Sequence, residues 1–308
     1  MRRNPRDHDL SVPSIRSLLR VGSDPDLEKI DPRGTPGLPD TRQVSRDPKA
    51  WSRTHLADIG IELARQQEML YATVKHAEPG SPSAGRRVLL VLQAMDCGGK
   101  DGTVKAVAPM LNPLGLHIRG FGSPTREELE HDFLWRIGRA LPPAGFIGVF
   151  NRSHYEDVLI VRVHSLVPRR VWRARYAQIN RFERDLVDDG YALVKVMLHI
   201  SYEEQRRRLL ARLDDPTKHW KYNPADVDER ARWDDYQAAY TDALAKTGTD
   251  AAPWYVVPAD RKWYRNWAVA HLLLETLLDL GLAYPKADFD VEFERRRALS
   301  DGARRPKE

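Results

Sequence analysis

Residues 87–107 read RVLLVLQAMDCGGKDGTVKAV, and this stretch decides how the rest of the chain is understood. Val88-Leu89-Leu90-Val91-Leu92 is an unbroken apolar run, which fits a strand buried on both faces of a parallel sheet. Gly98, Gly99 and Gly102 then surround Lys100, and a helix-compatible segment follows. Strand, glycine-rich loop, lysine and helix form the order of a phosphate-binding loop. Glycines let the backbone curl so that several N–H groups face one anion. The helix N-terminus adds partial positive charge and Lys100 a full one. The stretch departs from G-x-x-x-x-G-K-[ST] at two positions. Ala94 stands at the first glycine, and Asp101 stands where a metal-binding hydroxyl is usual. Asp96 and Asp101 place two carboxylates beside a phosphate cradle, where they repel the ligand unless a cation lies between. The loop therefore asks for Mg²⁺.

Working outward, apolar runs at His117–Phe121, Phe146–Phe150, Ala192–Ile200 and Trp254–Pro258 predict four more strands. Helical patterns separate them: His55–Lys75, a helix opened by the capping box Thr125-Arg126-Glu127-Glu128, Val171–Val187, one opened by Ser201-Tyr202-Glu203-Glu204, residues 226–245, and Lys262–Leu280. In the second of these, Leu129, Phe133, Leu134 and Ile137 are assigned to the core. Strands alternating with helices imply an α/β fold with a five-stranded parallel sheet and right-handed crossovers. Ligands of such sheets sit beyond the carboxyl ends of the strands.

At 308 residues the chain is long enough for one large core. No apolar run approaches membrane-spanning length. MRRNPRDHDL has no apolar segment behind it and does not read as a secretory signal. A single cysteine excludes a disulfide framework and a cysteine-based zinc site, so a cytoplasmic setting is expected. The net charge of +5 favours anionic partners. Residues 1–48, rich in Pro, Asp, Arg and Ser, read as an extended or partly disordered arm. Residues 49–290 read as the folded domain, with a lid at about 202–232, and 291–308 as a charged tail.

Two further constellations fall at strand ends. Asn151-Arg152-Ser153-His154-Tyr155-Glu156-Asp157 follows the third strand, where phosphate-loop proteins supply a carboxylate to the metal. Glu156 and Asp157 are the candidates for that role, with Asp96. Arg152 is a phosphate clamp because its planar fork binds oxyanions in pairs. After the fourth strand, Arg208 and Arg212 share a helix face at i, i+4. Lys218, Trp220 and Lys221 then alternate cation and aromatic on a loop, which suits a lid over phosphates or a purine. Lys105, Arg119, Lys262 and Arg265 could together line a track for a long anion.

These residues resemble the polyphosphate kinase 2 family. The matching stretches are QAMDCGGKDGT (93–103), PTREELEHDFLWRI (124–137), FNRSHYEDVLIVRVH (150–164), QRRRLLARLDDPTKHWKYNPAD (205–226) and VPADRKWYRN (257–266). The resemblance implies a fold like that of the phosphate-loop kinases, close to thymidylate kinases, with a helical lid. It implies phosphoryl transfer from inorganic polyphosphate to a nucleotide, adenine or alternatively another purine. The Asn-first, acid-later segment NRSHYEDV resembles the class acting on AMP, and often ADP as well. On this reading Asp96, Lys100, Arg152, Arg208 and Arg212 carry the chemistry. Gly98, Gly99, Asp101, Gly102, Thr103, Lys105, Asn151, Lys218, Trp220, Lys221 and Lys262 hold nucleotide or polyphosphate. Asp96, Glu156 and Asp157 hold Mg²⁺, with Mn²⁺ as the alternative ion. No specific nucleic acid and no membrane partner is expected, and relatives of this kind are commonly homo-oligomers, dimers or tetramers. The rival readings are an ATP-dependent nucleoside or nucleotide kinase and a non-catalytic polyanion-binding protein.

Overall fold

Val88, Leu90 and Leu92 pack into one apolar cluster, while Leu89 and Val91 pack into another on the opposite side. An apolar run divided in this way belongs to a strand in the middle of a covered sheet. The computed structural model describes residues 14–301. Its first half runs α1 (Ile15–Leu19), α2 (Arg42–Arg46), α3 (Pro48–Lys75), β1 (Arg87–Ala94), α4 (Lys100–Val107), β2 (Leu116–Gly120), α5 (Arg126–Leu129), α6 (Trp135–Gly138) and β3 (Ile147–Asn151). Its second half runs α7 (Ile160–Val163), α8 (Arg169–Asp188), β4 (Tyr191–His199), α9 (Tyr202–Leu213), α10 (Ala225–Arg230), α11 (Trp233–Thr247), β5 (Trp254–Pro258), α12 (Lys262–Asp279) and α13 (Val291–Asp301).

The five strands form one sheet in the order β2-β3-β1-β4-β5, and every pairing is parallel. Leu63 and Leu70 of α3, Val107 of α4 and Trp267 and Leu273 of α12 fill one face. Ile179 and Leu186 of α8 and Ala239 and Leu244 of α11 fill the other. The result is three layers, α/β/α. The chain leaves β1 for β2, steps back to β3, and crosses to β4 on the far side of β1. The carboxyl end of β1 is thus flanked by β3 and β4, the crevice where such sheets bind ligands.

Three expectations differ from the structure. The first concerns the arm. From Ser14 onward it is folded onto its own domain. Glu275 of α12 accepts hydrogen bonds from Ser14 Oγ (2.6 Å) and from the N–H groups of Ile15 and Arg16. Ile15 is fully buried. Arg20 makes an antiparallel bridge to Tyr255, so this segment covers the free edge of β5. Pro32 and Pro36 then offer their carbonyls to Asp260 N–H and Tyr264 Oη. Residues 1–13 of the expected arm lie outside the described residues.

The second is α3, which begins at Pro48 rather than His55. Asp47 Oδ1 accepts from Ala50 N–H at 2.9 Å, and proline sits at the first helical position, a standard pair of start signals. The third is the helix after Thr125. Its capping box forms, but the helix splits in two. Asp132 Oδ1 captures Leu134 N–H at 2.9 Å, offering the backbone an alternative to the helix. Leu129 is consequently exposed, whereas Ile137 is buried as expected. A similar break at Ala231-Arg232 separates α10 from α11. The start of the charged tail is the exposed helix α13. No helix among the described residues is long and apolar enough to cross a membrane.

Candidate active site

The loop between β1 and α4 turns on two left-handed residues, Cys97 (φ 60°) and Gly99 (φ 107°). A side chain at Gly98 would strike Ala94 Cβ at 2.4 Å and Met95 O at 2.8 Å, so only glycine lets the loop close on the strand end. Lys100 opens α4. Its side chain is buried and folded back, donating to Ala94 O at 2.8 Å. Burial pulls its pKa below the usual lysine range, and Arg152 adds to this against the Asp96, Glu156 and Asp101 carboxylates.

Arg152 follows β3 in a left-handed conformation (φ 65°), a costly state for a non-glycine residue and one that re-aims its side chain across the sheet end. Its N–H donates to Leu92 O of β1, and its Nη2 donates to Asp96 Oδ1 at 3.0 Å. Burial works against its charge, but Glu156 and Asp96 hold its guanidinium above the ordinary range. Glu156, Asp96 and Arg152 line one small cavity. With its amide oriented to satisfy its neighbours, Gln93 donates to Glu156 Oε1 at 3.0 Å. Burial raises the Glu156 carboxyl against the pull of Arg152 and Lys100.

Asp157 is a correction. Residues 154–157 form a 3₁₀ turn, and successive side chains on such a turn point in different directions. Asp157 Oδ1 therefore meets Arg175 of α8 at 3.0 Å and does not line the site. Burial raises its carboxyl in spite of Arg175.

Asp101 ties α4 to the end of β3 and to the lid. Its Oδ1 accepts from Asn151 Nδ2 at 2.8 Å, and its Oδ2 accepts from Lys221 Nζ of the lid at 3.1 Å. Burial raises its carboxyl, but these two hydrogen bonds outweigh it and the net direction is down. Thr103 turns inward and donates to Gly99 O, and Lys105, two residues further on, is exposed. Neither lines the basin, which departs from the expectation for both.

The two arginines of α9 have separate tasks. Arg208 is buried, clasped by Glu204 at 2.6 Å, and donates to the carbonyls of Cys97, Gly98, Ala259 and Asp260. It positions the phosphate loop from behind and is not a free finger on a lid. Arg212 donates to Lys221 O at 3.0 Å and Asp226 Oδ2 at 3.1 Å, and faces the basin. Lys218, paired with Asp215, also lines the basin. Trp220 does not: it is 78% exposed, with Lys221 Nζ 4.9 Å from its ring centroid.

The basin has a volume of about 760 Å³. Lys100, Arg152, Arg207, Arg208, Arg212, Lys218, Lys221, Lys262 and Arg265 reach it, against Asp96, Asp101 and Asp226. Burial lowers the Lys262 pKa, and the neighbouring arginines push in the same direction. Asp226 and Gly120–Gly122 were not anticipated as lining residues. Glu204 was read as half of a capping box. Ser201 N–H goes to Asp260 Oδ1 instead, which frees Glu204 to grip Arg207 and Arg208. Its i, i+3 and i, i+4 spacing to those arginines was the available signal.

The family described as Polyphosphate kinase 2 (PPK2) matches residues 53–281. The chain is 46% identical over 263 residues to an AMP/ADP-polyphosphate phosphotransferase of Meiothermus ruber, covering 85% of this chain and 92% of that protein. It is 44% identical over 236 residues to an ADP-polyphosphate phosphotransferase of Rhodopseudomonas palustris, covering 73% and 78%. The crystal structure of polyphosphate kinase 2 from Arthrobacter aurescens is 49% identical and superposes with a TM-score of 0.87, covering 94% of this chain and 98% of that one.

Proposed function

This chain belongs to the polyphosphate kinase 2 family, and from that premise we propose that it moves the terminal phosphoryl group of inorganic polyphosphate onto AMP and ADP. The charge of the basin carries the reading. Nine cationic side chains face three carboxylates there, in a molecule whose net charge is +5. Even with Glu204 and Asp215 counted beside the arginines and the lysine they pair with, a surplus of four cations remains, most of the net charge of the whole chain. Such focusing suits a ligand with several phosphates.

The loop N–H groups, the start of α4 and Lys100 hold the phosphates being exchanged. Arg152 offers its fork from one side, and Arg212 and Lys221 approach from the lid. Arg208 keeps the loop in shape. The acceptor phosphate is an anion at neutral pH, so no side chain need remove a proton. One of its oxygens attacks the terminal phosphorus in line. A new P–O–P bridge forms, and a chain one unit shorter departs. Positioning and charge neutralisation supply the acceleration.

The residues fit a divalent ion, Mg²⁺ or alternatively Mn²⁺. Asp96 and Glu156 are hard oxygen donors on one cavity, and Mg²⁺ characteristically takes one or two carboxylates and completes its shell with water and phosphate oxygens. When bound, the ion offsets repulsion between those carboxylates and the phosphates. Among the described residues no group of three His, Cys, Asp or Glu could hold an ion unaided. The proposal also carries a homo-oligomer and a cytoplasmic setting, to be checked by light scattering and fractionation.

The test follows products by ³¹P NMR, with polyphosphate and Mg²⁺ present and AMP, ADP or a nucleoside supplied separately. ADP and ATP should appear from AMP, and ATP from ADP, only with polyphosphate. Transfer from ATP to a nucleoside without polyphosphate would replace this reading with that of an ordinary nucleoside kinase.

A further inference from the structure

Arg265, one turn into α12, is 3% exposed and lines the basin. Its guanidinium occupies space that two loop glycines leave open. A Cβ on Gly99 would lie 1.9 Å from Arg265 Nη1, and one on Gly102 would lie 2.9 Å from Nη2. Those glycines thus do more than free backbone N–H groups: they admit a buried cation against the phosphate loop. Among the described residues its side chain has one polar partner, Asn266 Oδ1, which accepts from both Nε and Nη2. A guanidinium has five N–H donors, and a buried one is normally paired with a carboxylate. Burial and the neighbouring Arg208 pull its pKa down to about 10.

The surroundings are alike in sign. Lys262 lies three residues earlier on the same helix and Arg207 on α9 nearby, and both line the basin. The N-terminus of α12, an 18-residue helix, begins at Lys262 and has no side-chain cap, so its partial positive charge adds to this wall. The carboxylates that line the basin come from the loop, from α4 and from the lid, and none from α12.

We propose that Arg265, with Lys262 and the N-terminus of α12, forms a subsite for the phosphate units of the donor chain behind the transferred one, and that the chain itself supplies the counter-charge Arg265 lacks. This rests on polyphosphate being the donor. The protein carries the electrostatic cost of Arg265 until the chain arrives, and the relief of that cost favours long linear phosphate over a nucleotide.

The test compares Arg265→Met, Arg265→Lys and wild type. Arg265→Met should melt at or above the wild-type temperature without ligand, because an uncompensated buried charge has been removed. It should lose most of the rise in melting temperature that tripolyphosphate gives the wild type. Its KM for polyphosphate should rise about tenfold or more, with the KM for AMP and ADP nearly unchanged. Arg265→Lys should recover part of both. A variant that fails to fold, or melts well below wild type with the tripolyphosphate shift intact, makes Arg265 a structural brace and overturns the inference. A rise confined to the nucleotide KM overturns it as well. If wild type shows no polyphosphate turnover, the functional reading fails separately, and the tripolyphosphate shift still decides the subsite.

Discussion

Lys195 and Arg265 are both buried cations, and they are treated in opposite ways. Lys195, in β4, is fully buried, and its ammonium donates to Glu183 Oε2 (2.6 Å), Thr247 O (2.7 Å) and Tyr155 Oη (2.9 Å). Glu183 Oε1 in turn accepts from Tyr155 Oη at 2.6 Å and lies 3.2 Å from His154 Nε2. Every donor of that ammonium is used. Among the described residues, Arg265 has only Asn266. The interior cluster is charge-balanced by the protein and fixes the turn that presents Glu156. The basin is left unbalanced, and its counter-charge must come from a ligand. Charge in this molecule is thus divided between a region that stabilises the fold and a region that sacrifices stability for binding.

The largest effect that would sharpen this division is on turnover. Lys100→Met and Asp96→Asn should each lower polyphosphate-dependent phosphorylation on the order of 10³-fold. The melting temperature of Lys100→Met should stay close to wild type or rise, since a buried cation without a carboxylate at its tip has been removed. Steady-state assays and calorimetry on the same preparations check both. A Lys100→Met protein that unfolds would place Lys100 in the same class as Lys195.

The mirror-image change is Lys195→Met. It takes the ammonium from the buried Glu183 carboxylate, leaving it only Tyr155 and His154, and should cost about 3–5 kcal/mol in urea unfolding. The fraction that remains folded should keep much of its activity. Acid titration probes the same cluster. Burial opposes the Glu183 charge, but Lys195 and His154 outweigh it and hold its carboxyl below the usual range. Its stabilisation is therefore complete above the ordinary glutamate pKa and is lost as pH falls through the depressed value. Glu183→Gln should flatten that part of the stability–pH curve. An unchanged curve would break the comparison.

Smaller effects are expected at the edges. The Lys221–Asp101 contact joins a half-buried ammonium to an exposed carboxylate, so Lys221→Ala should change stability by less than about 1 kcal/mol. Turnover should nonetheless fall several-fold, and more at low salt, because the contact ties the lid to α4. The smallest effect is chemical. Burial raises the Cys97 thiol to about 11. Iodoacetamide at pH 8 should modify it about two orders of magnitude more slowly than a free cysteine, as followed by mass spectrometry. Rapid alkylation would show the loop to be far more open than described.

Much of the fold was legible because local signals agreed with the tertiary outcome. The β5 limits, Trp254–Pro258, match their expectation, and the β1 run behaves as a doubly buried strand. Helix interruptions were not legible. The one after Thr125 depends on Asp132 capturing one N–H, a competition that periodicity does not register. At the site, the sequence placed Asp96, Lys100, Asn151 and Arg152 on one loop cluster. It could not separate Glu156 from Asp157, because one residue on a 3₁₀ turn decides which faces Arg152 and which faces Arg175. Arg208 and Arg212 looked equivalent on their helix face. Both line the basin, and only the carbonyls of the folded loop show that Arg208 also braces it. Arg265 appeared as one of several scattered cations. Its significance lies in the space left by Gly99 and Gly102, 163 or more positions earlier in the chain.

The most direct measurement is a pair of melting curves for the wild-type protein, one with tripolyphosphate and one with KCl at equal ionic strength. At ligand about a hundredfold above its Kd, the unbalanced basin predicts a rise of about 5 °C or more with tripolyphosphate and little change with KCl. Equal shifts in the two solutions would mean that the basin's charge is already balanced by the protein, and would contradict the account.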